Sequence, residues 1–119
     1  MPDGTFDLAE AARRINRENR EEAERASARR QEARDEAVRL AAELRAKDPC
    51  IKRIWGFGST FEQALPYRLD SDIDLAIEGG DIYTLQTVAE ASRIEVDLVD
   101  ISDRDDYFAR RIRSEGAAL

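Results

Sequence analysis

The chain has no histidine among its 119 residues, and only one cysteine, one methionine and one tryptophan. Without imidazole there is no Ser-His or Cys-His nucleophile system and no histidine metal ligand. A lone Cys50 forms neither an internal disulfide nor a thiolate zinc site, and is expected as a half-buried thiol at the start of a strand. No apolar run is long enough to span a bilayer, and the first residues lack the apolar stretch of a secretory signal, so a cytoplasmic protein is expected. Positive charge is in deficit too: 19 Lys and Arg stand against 26 Asp and Glu, a net charge of -7. That balance argues against direct binding to nucleic acid or to an anionic membrane. A chain this acidic needs metal cations if it is to handle phosphates.

What remains is one small domain's worth of chain, 42% hydrophobic and 38% charged, enough for a modest core. It divides into two textures. Residues 1–48 form an Ala/Arg/Glu-rich arm. From about residue 6 to residue 47 there is neither Gly nor Pro, and strong helix formers dominate. One long helix or two in line are expected, capped by Thr5 or Asp7 and stopped at Asp48-Pro49. Ala23, Ala26, Arg30, Ala33, Ala37, Leu40 and Leu44 fall on a thin a/d stripe. Two readings stand: a solvated helix that docks on the core only through Val38, Leu40 and Leu44, or a close-packed interface with a partner or a second copy.

Residues 49–119 read as the core. Strands are expected over 50–57, 72–78 and 94–101, with helices over 81–92 and 103–114 and a last short strand in 116–119. Residues 60–65 read as a short helix or an irregular segment. Ile73, Leu75 and Ile77 share one face of the second strand. Ile82, Leu85, Val88 and Ala89 form the apolar face of the first core helix, and Tyr107, Phe108 and Ile112 are expected to face inward from the second. The fold class is therefore α+β: a small mixed β-sheet flanked by helices and preceded by a long N-terminal helical arm. The arm is nearly charge-balanced at 11 basic against 12 acidic side chains, leaving 8 against 14 for the core.

The odd carboxylates lie in that core. Asp72 and Asp74, in SDIDL, project from one strand face about 7 Å apart. Carboxylates so placed repel, and Asp is a poor strand former. Two such groups can share a pair of divalent ions that also bridge phosphate oxygens, the arrangement that clamps the entering and leaving oxygens of in-line attack at phosphorus. Mg²⁺ suits the role because it accepts carboxylate, water and phosphate oxygens. Asp97 interrupts the third strand between Val96 and Leu98, and as a buried strand residue it needs a partner or a task. If the third strand neighbours the second, Asp97 reaches the same metals, as a base for an attacking hydroxyl or as a further ligand. Gly56, Gly58 and Ser59 follow the first strand, where glycine admits close backbone approach and a hydroxyl can hold a phosphate. The bland alternative is a wet sheet edge with a common Gly-Ser turn.

In this order, Gly58-Ser59, then Asp72-x-Asp74, then Asp97 in VDLV, the core resembles the minimal nucleotidyltransferase family of the DNA polymerase β superfamily. The resemblance spans roughly residues 50–119 and leaves out the arm. It implies that Gly58 and Ser59 bind the nucleotide triphosphate, that Asp72 and Asp74 bind metal, and that Asp97 completes the catalytic and metal-binding triad with two Mg²⁺ ions. Two features depart from the family pattern. Twelve residues separate Ser59 from Asp72, and TFEQALPYR carries no basic residue soon after the serine, which leaves Arg68 or the backbone to contact the triphosphate. The implied activity is transfer of a nucleoside monophosphate, AMP from ATP, to a hydroxyl on a partner protein, as in toxin–antitoxin pairs with a HEPN-type helical partner. The alternatives are a catalytically weak or inactive binding module acting by contact, and a homo-oligomer built on the N-terminal helix.

Overall fold

The computed structural model describes residues 7–68 and 70–119. Helix α1 (Leu8–Lys47) is continuous over 40 residues, about 60 Å at the usual rise. Asp7 caps it, its carboxylate accepting from the Glu10 N–H at 3.1 Å; Thr5 and Phe6 lie outside the described residues. At the other end the Asp48 carboxylate accepts from the N–H groups of Cys50 (3.0 Å) and Asp81 (2.8 Å). These bonds hold its pKa below the usual carboxylate value and pin the end of α1 to the start of the next helix. The rest runs β1 (Arg53–Phe57), β2 (Ile73–Glu78), α2 (Ile82–Glu90), β3 (Val96–Asp100), α3 (Tyr107–Glu115) and β4 (Ala117–Ala118).

The sheet order is β3-β2-β1-β4. β1 runs antiparallel to β2 and β4, while β2 and β3 are parallel and joined through α2. The sheet is thus mixed, as expected, with helices on both faces. One face carries Ile54, Ile73, Leu75, Ile77 and Leu98 against Leu40, Leu44 and Leu85 of the helices. The side chains at 54, 73, 75 and 77 are almost wholly buried, each contributing roughly 1.5–3 kcal/mol of burial. The other face holds a smaller cluster of Trp55, Ala76, Ile101, Ala109 and Ile112 under α3.

α1 is half core and half projection. Ala33, Ala37, Leu40, Ala41 and Leu44 are buried, whereas Leu8, Ile15 and Val38 are exposed. The radius of gyration is 19.9 Å, against roughly 13–14 Å for a compact chain of this length. No helix among the described residues is long and apolar enough to cross a membrane.

Several expectations shift locally. Val38 does not dock: the buried stripe runs through 33, 37, 40 and 44, one position away from it. Cys50 is exposed rather than half-buried, because β1 begins only at Arg53. Its partner strand ends at Glu78, and Gly79 and Gly80 turn away with φ of 83° and 87°, leaving residues 50–52 without a neighbouring strand beyond the Lys52 N–H to Glu78 O bond. α3 starts late, capped by Asp106, so Tyr107 lies in its first turn and is exposed. Ala109 and Ile112 face inward, with Phe108 at the margin.

Candidate functional site

Register decides what the carboxylates can do together. Phe57, Asp74 and Asp97 are consecutive partners across β1, β2 and β3. The next row on that face is Trp55, Ala76 and Val99. Side chains alternate along strands, so Asp74 and Asp97 stand side by side on the α3 face, just past the Trp55 cluster. Asp72 lies immediately before β2, one alternation from Asp74. Asp97 is exposed, not set in a buried strand as expected, because β3 is the edge of the sheet. It is nonetheless the direct neighbour of Asp74.

Asp74 is the strained member. Its carboxyl is pushed up to about 6, first by burial and then by the charges of Asp97 and Asp72. Among the described residues, no Lys or Arg forms an ion pair with any of the three. Gly58 adopts φ 74°, a left-handed value that suits glycine, and a methyl group at that position would run into the Asp74 carboxylate. The Gly-Ser turn is thus pressed against the acid. Ser59, half-buried, follows it directly.

The turn is held in place from two sides. The Gly58 carbonyl accepts from the N–H groups of Phe61 (3.1 Å) and Glu62 (2.9 Å). Thr60, fully buried, donates its hydroxyl to the Asp72 carbonyl at 3.2 Å, linking the turn to the start of the Asp-x-Asp segment. α1 also takes part. Arg34 donates to the Thr60 carbonyl at 2.8 Å, and Arg30 donates to that of Leu65 at 2.7 Å and lies over the Tyr67 ring. The twelve-residue connector is therefore strapped to the helix. Arg68 turns outward, 82% exposed and facing Asp70 at 3.8 Å.

Thr60, Arg30, Arg34 and Phe57 were not among the candidates read from the sequence. Arg30 did carry a signal, as the one charged member of an otherwise apolar a/d stripe. Glu36 carried none. It is 1% exposed, paired with Arg39 through 2.7 Å contacts, and accepts from the Ser92 hydroxyl at 2.8 Å, tying α1 to the end of α2.

The donor set is of the kind Mg²⁺ uses: hard carboxylate oxygens, one of them desolvated beside like charges. Among the described residues no three metal-binding side chains form a ready-made metal site, so an ion here would need water or phosphate oxygens to complete its shell. Beside the Gly-Ser turn, a cleft of about 190 Å³ lies between Gly56, Gly58 and Phe61 on one side and Phe108, Arg111 and Glu115 of α3 on the other.

No family model matches the chain, and no curated protein does. A solved structure is similar to it: a crystal structure of a toxin-antitoxin with AMP-PNP, at TM-score 0.51 and 27% sequence identity, over 71% of this chain and 69% of that one.

Proposed function

We propose that the protein is a Mg²⁺-dependent nucleotidyltransferase that moves a nucleoside monophosphate, AMP from ATP, onto a hydroxyl of a partner protein, the hydroxyl oxygen bonding to the α-phosphorus as pyrophosphate leaves. The observation that carries this reading is Asp74, in register with Asp97, preceded by Asp72 and pressed by Gly58, its pKa raised to about 6. A sheet with no ligand for these groups gains nothing by facing them together, since like charges on neighbouring strands destabilise it. The similarity to a toxin-antitoxin structure with AMP-PNP, a nucleotide analogue, supports both the nucleotide and a protein partner. A HEPN-type helical protein is the partner we favour, with the largely exposed first half of α1, in the arm of residues 1–48, as its docking surface. Residues 49–119, completed by the buried stripe in the second half of α1, form the transferase core.

Asp72, Asp74 and Asp97 would hold the Mg²⁺. The bound metal would neutralise the polyphosphate and lower the pKa of the attacking hydroxyl. Gly58 lets the phosphates approach the backbone, Ser59 offers a hydroxyl to them, and Asp97 is placed to take the acceptor proton. Thr60, with Arg30 and Arg34, keeps the turn at a fixed height over Asp72.

Incubation with ATP labelled at the α-phosphate, Mg²⁺ and a HEPN-type helical partner tests the proposal: label on that protein, lost with Asp74→Asn, is expected. A second reading, a contact-only antitoxin or scaffold, draws on the open arrangement of the carboxylates. It predicts that Asp72→Asn and Asp74→Asn keep the biological effect, while removal of residues 1–22, which leaves the buried stripe from Ala33 to Leu44 in place, abolishes it.

A further inference from the structure

The Gly-Ser turn lacks the basic residue that would ordinarily face a polyphosphate, and most arginines nearby are already committed. Arg30 and Arg34 hold connector carbonyls. Arg113 holds the carbonyls of Arg104 and Ile101 at 2.7 and 2.6 Å. Arg104 pairs with Asp106 and lies over the Phe108 ring. Arg68 faces solvent.

Arg111 is different. It stands on the face of α3 that walls the cleft, opposite Gly58 and Phe61. Its guanidinium contacts the Glu62 carboxylate at 3.2 Å, and the Glu62 N–H is bonded to the Gly58 carbonyl at 2.9 Å. An arginine from the far end of the chain is thus tied, through one residue, to the turn that carries Ser59. Its other partner, Glu115, is one helical turn away at 2.8 Å.

We propose that Arg111 binds the polyphosphate of the nucleotide, exchanging Glu62 for phosphate oxygens while Glu115 keeps the guanidinium oriented. This rests on the nucleotidyltransferase reading above. The exchange is easy on both sides. Arg111, Glu62 and Glu115 are 52%, 35% and 60% exposed, and surface ion pairs of this kind contribute little. A guanidinium makes stronger, forked bonds to phosphate, which Lys does not reproduce. Glu62 then acts as an occupant of the anion position, holding Arg111 beside the turn until nucleotide arrives.

Calorimetric titration of the full chain with ATP and with AMP, in Mg²⁺, tests the assignment. Arg111→Gln is expected to weaken ATP about tenfold or more while changing AMP by less than about twofold, and Arg111→Lys to fall between. Glu62→Gln is expected to tighten ATP by a few fold, because the competing carboxylate is gone. Arg110→Gln, the same charge change one residue away, is expected to bind as wild type. If wild type binds ATP but Arg111→Gln binds it equally, or if Arg68→Gln is the variant that loses ATP, the role of Arg111 is overturned while the nucleotide site stands. If wild type binds no ATP, the parent reading falls and takes this one with it. Should Arg111→Gln fail to fold by circular dichroism, Glu62→Gln decides: unchanged or weaker ATP binding overturns the proposal.

Discussion

The two faces of the sheet are built from the same strands and serve opposite ends. The face under α1 and α2 is an almost unbroken layer of Ile and Leu, with Ile73, Leu75 and Ile77 wholly buried. The α3 face has a small cluster around Trp55 and then gives way to Asp74 and Asp97. A strand alternates its side chains with period two, so one segment, Ile73–Glu78, supplies core on one side and carboxylates on the other. Stability lies on the first face, and the second spends some of it on like charges held together. Each face can be probed by a substitution that leaves the other intact.

The largest effect should come from the apolar face. Leu75→Ala removes a wholly buried side chain from the centre of the sheet and should lower unfolding free energy by about 2–5 kcal/mol, read from denaturant midpoints. Next is Glu36→Gln, which breaks the ion pair with Arg39 inside α1 and weakens the bond to Ser92 beyond α2, and should cost about 1–3 kcal/mol at pH 7. The Glu36 carboxyl is held down to about 2, chiefly by the Arg39 hydrogen bonds. Its stabilisation is therefore present above the ordinary glutamate value of 4.5 and is lost as pH falls from there towards 2. The variant should lose less stability than wild type over that acid window.

On the carboxylate face the sign reverses. Asp74 titrates at about 6, above its ordinary 3.8, so its ionisation weakens the fold, and stability is lost as pH rises from 3.8 through 6. Asp74→Asn should therefore raise metal-free stability at pH 7–8 by on the order of 1 kcal/mol, with no gain at pH 4, while abolishing Mg²⁺-nucleotide binding. Asp74→Asn that destabilises at every pH would remove the distinction between the faces. Thr60→Val keeps the volume but drops the bond to the Asp72 carbonyl; a loss of about 1 kcal/mol is expected, with weaker nucleotide binding measured by calorimetry. Smallest is Val38→Lys on the outer side of α1, expected within about 0.5 kcal/mol of wild type.

Much of the fold was legible from residue order. Every expected core strand and helix is present, with β1 and α3 starting three and four residues late, since period-two and period-3.6 patterns and the Asp caps are local signals. The errors are those in which neighbours decide. The a/d pattern puts Val38 near the docking face, and the buried stripe passes beside it. Periodicity turns Tyr107 inward and extends the first strand to Cys50, where the structure exposes the one and gives the other no partner strand at that level. For the candidate site, Gly58, Ser59, Asp72, Asp74 and Asp97 could be named from spacing, and the structure brings them to one end of the sheet. The groups that hold the turn could not. Thr60 and Arg34 act through backbone carbonyls, and a carbonyl leaves no mark on sequence.

By itself, the sequence determined the elements, the acidic core, the absence of imidazole chemistry and the alternation that keeps Asp72 and Asp74 off the apolar face. Those follow from local backbone geometry and composition. Only the tertiary structure decided that β3 pairs in parallel with β2 so that Asp97 meets Asp74, that α1 straps the connector, and that Arg111 comes back beside the Gly-Ser turn. Each joins residues 23 to 49 positions apart, and contacts at that separation are set by how whole elements pack, not by the pattern within any one of them.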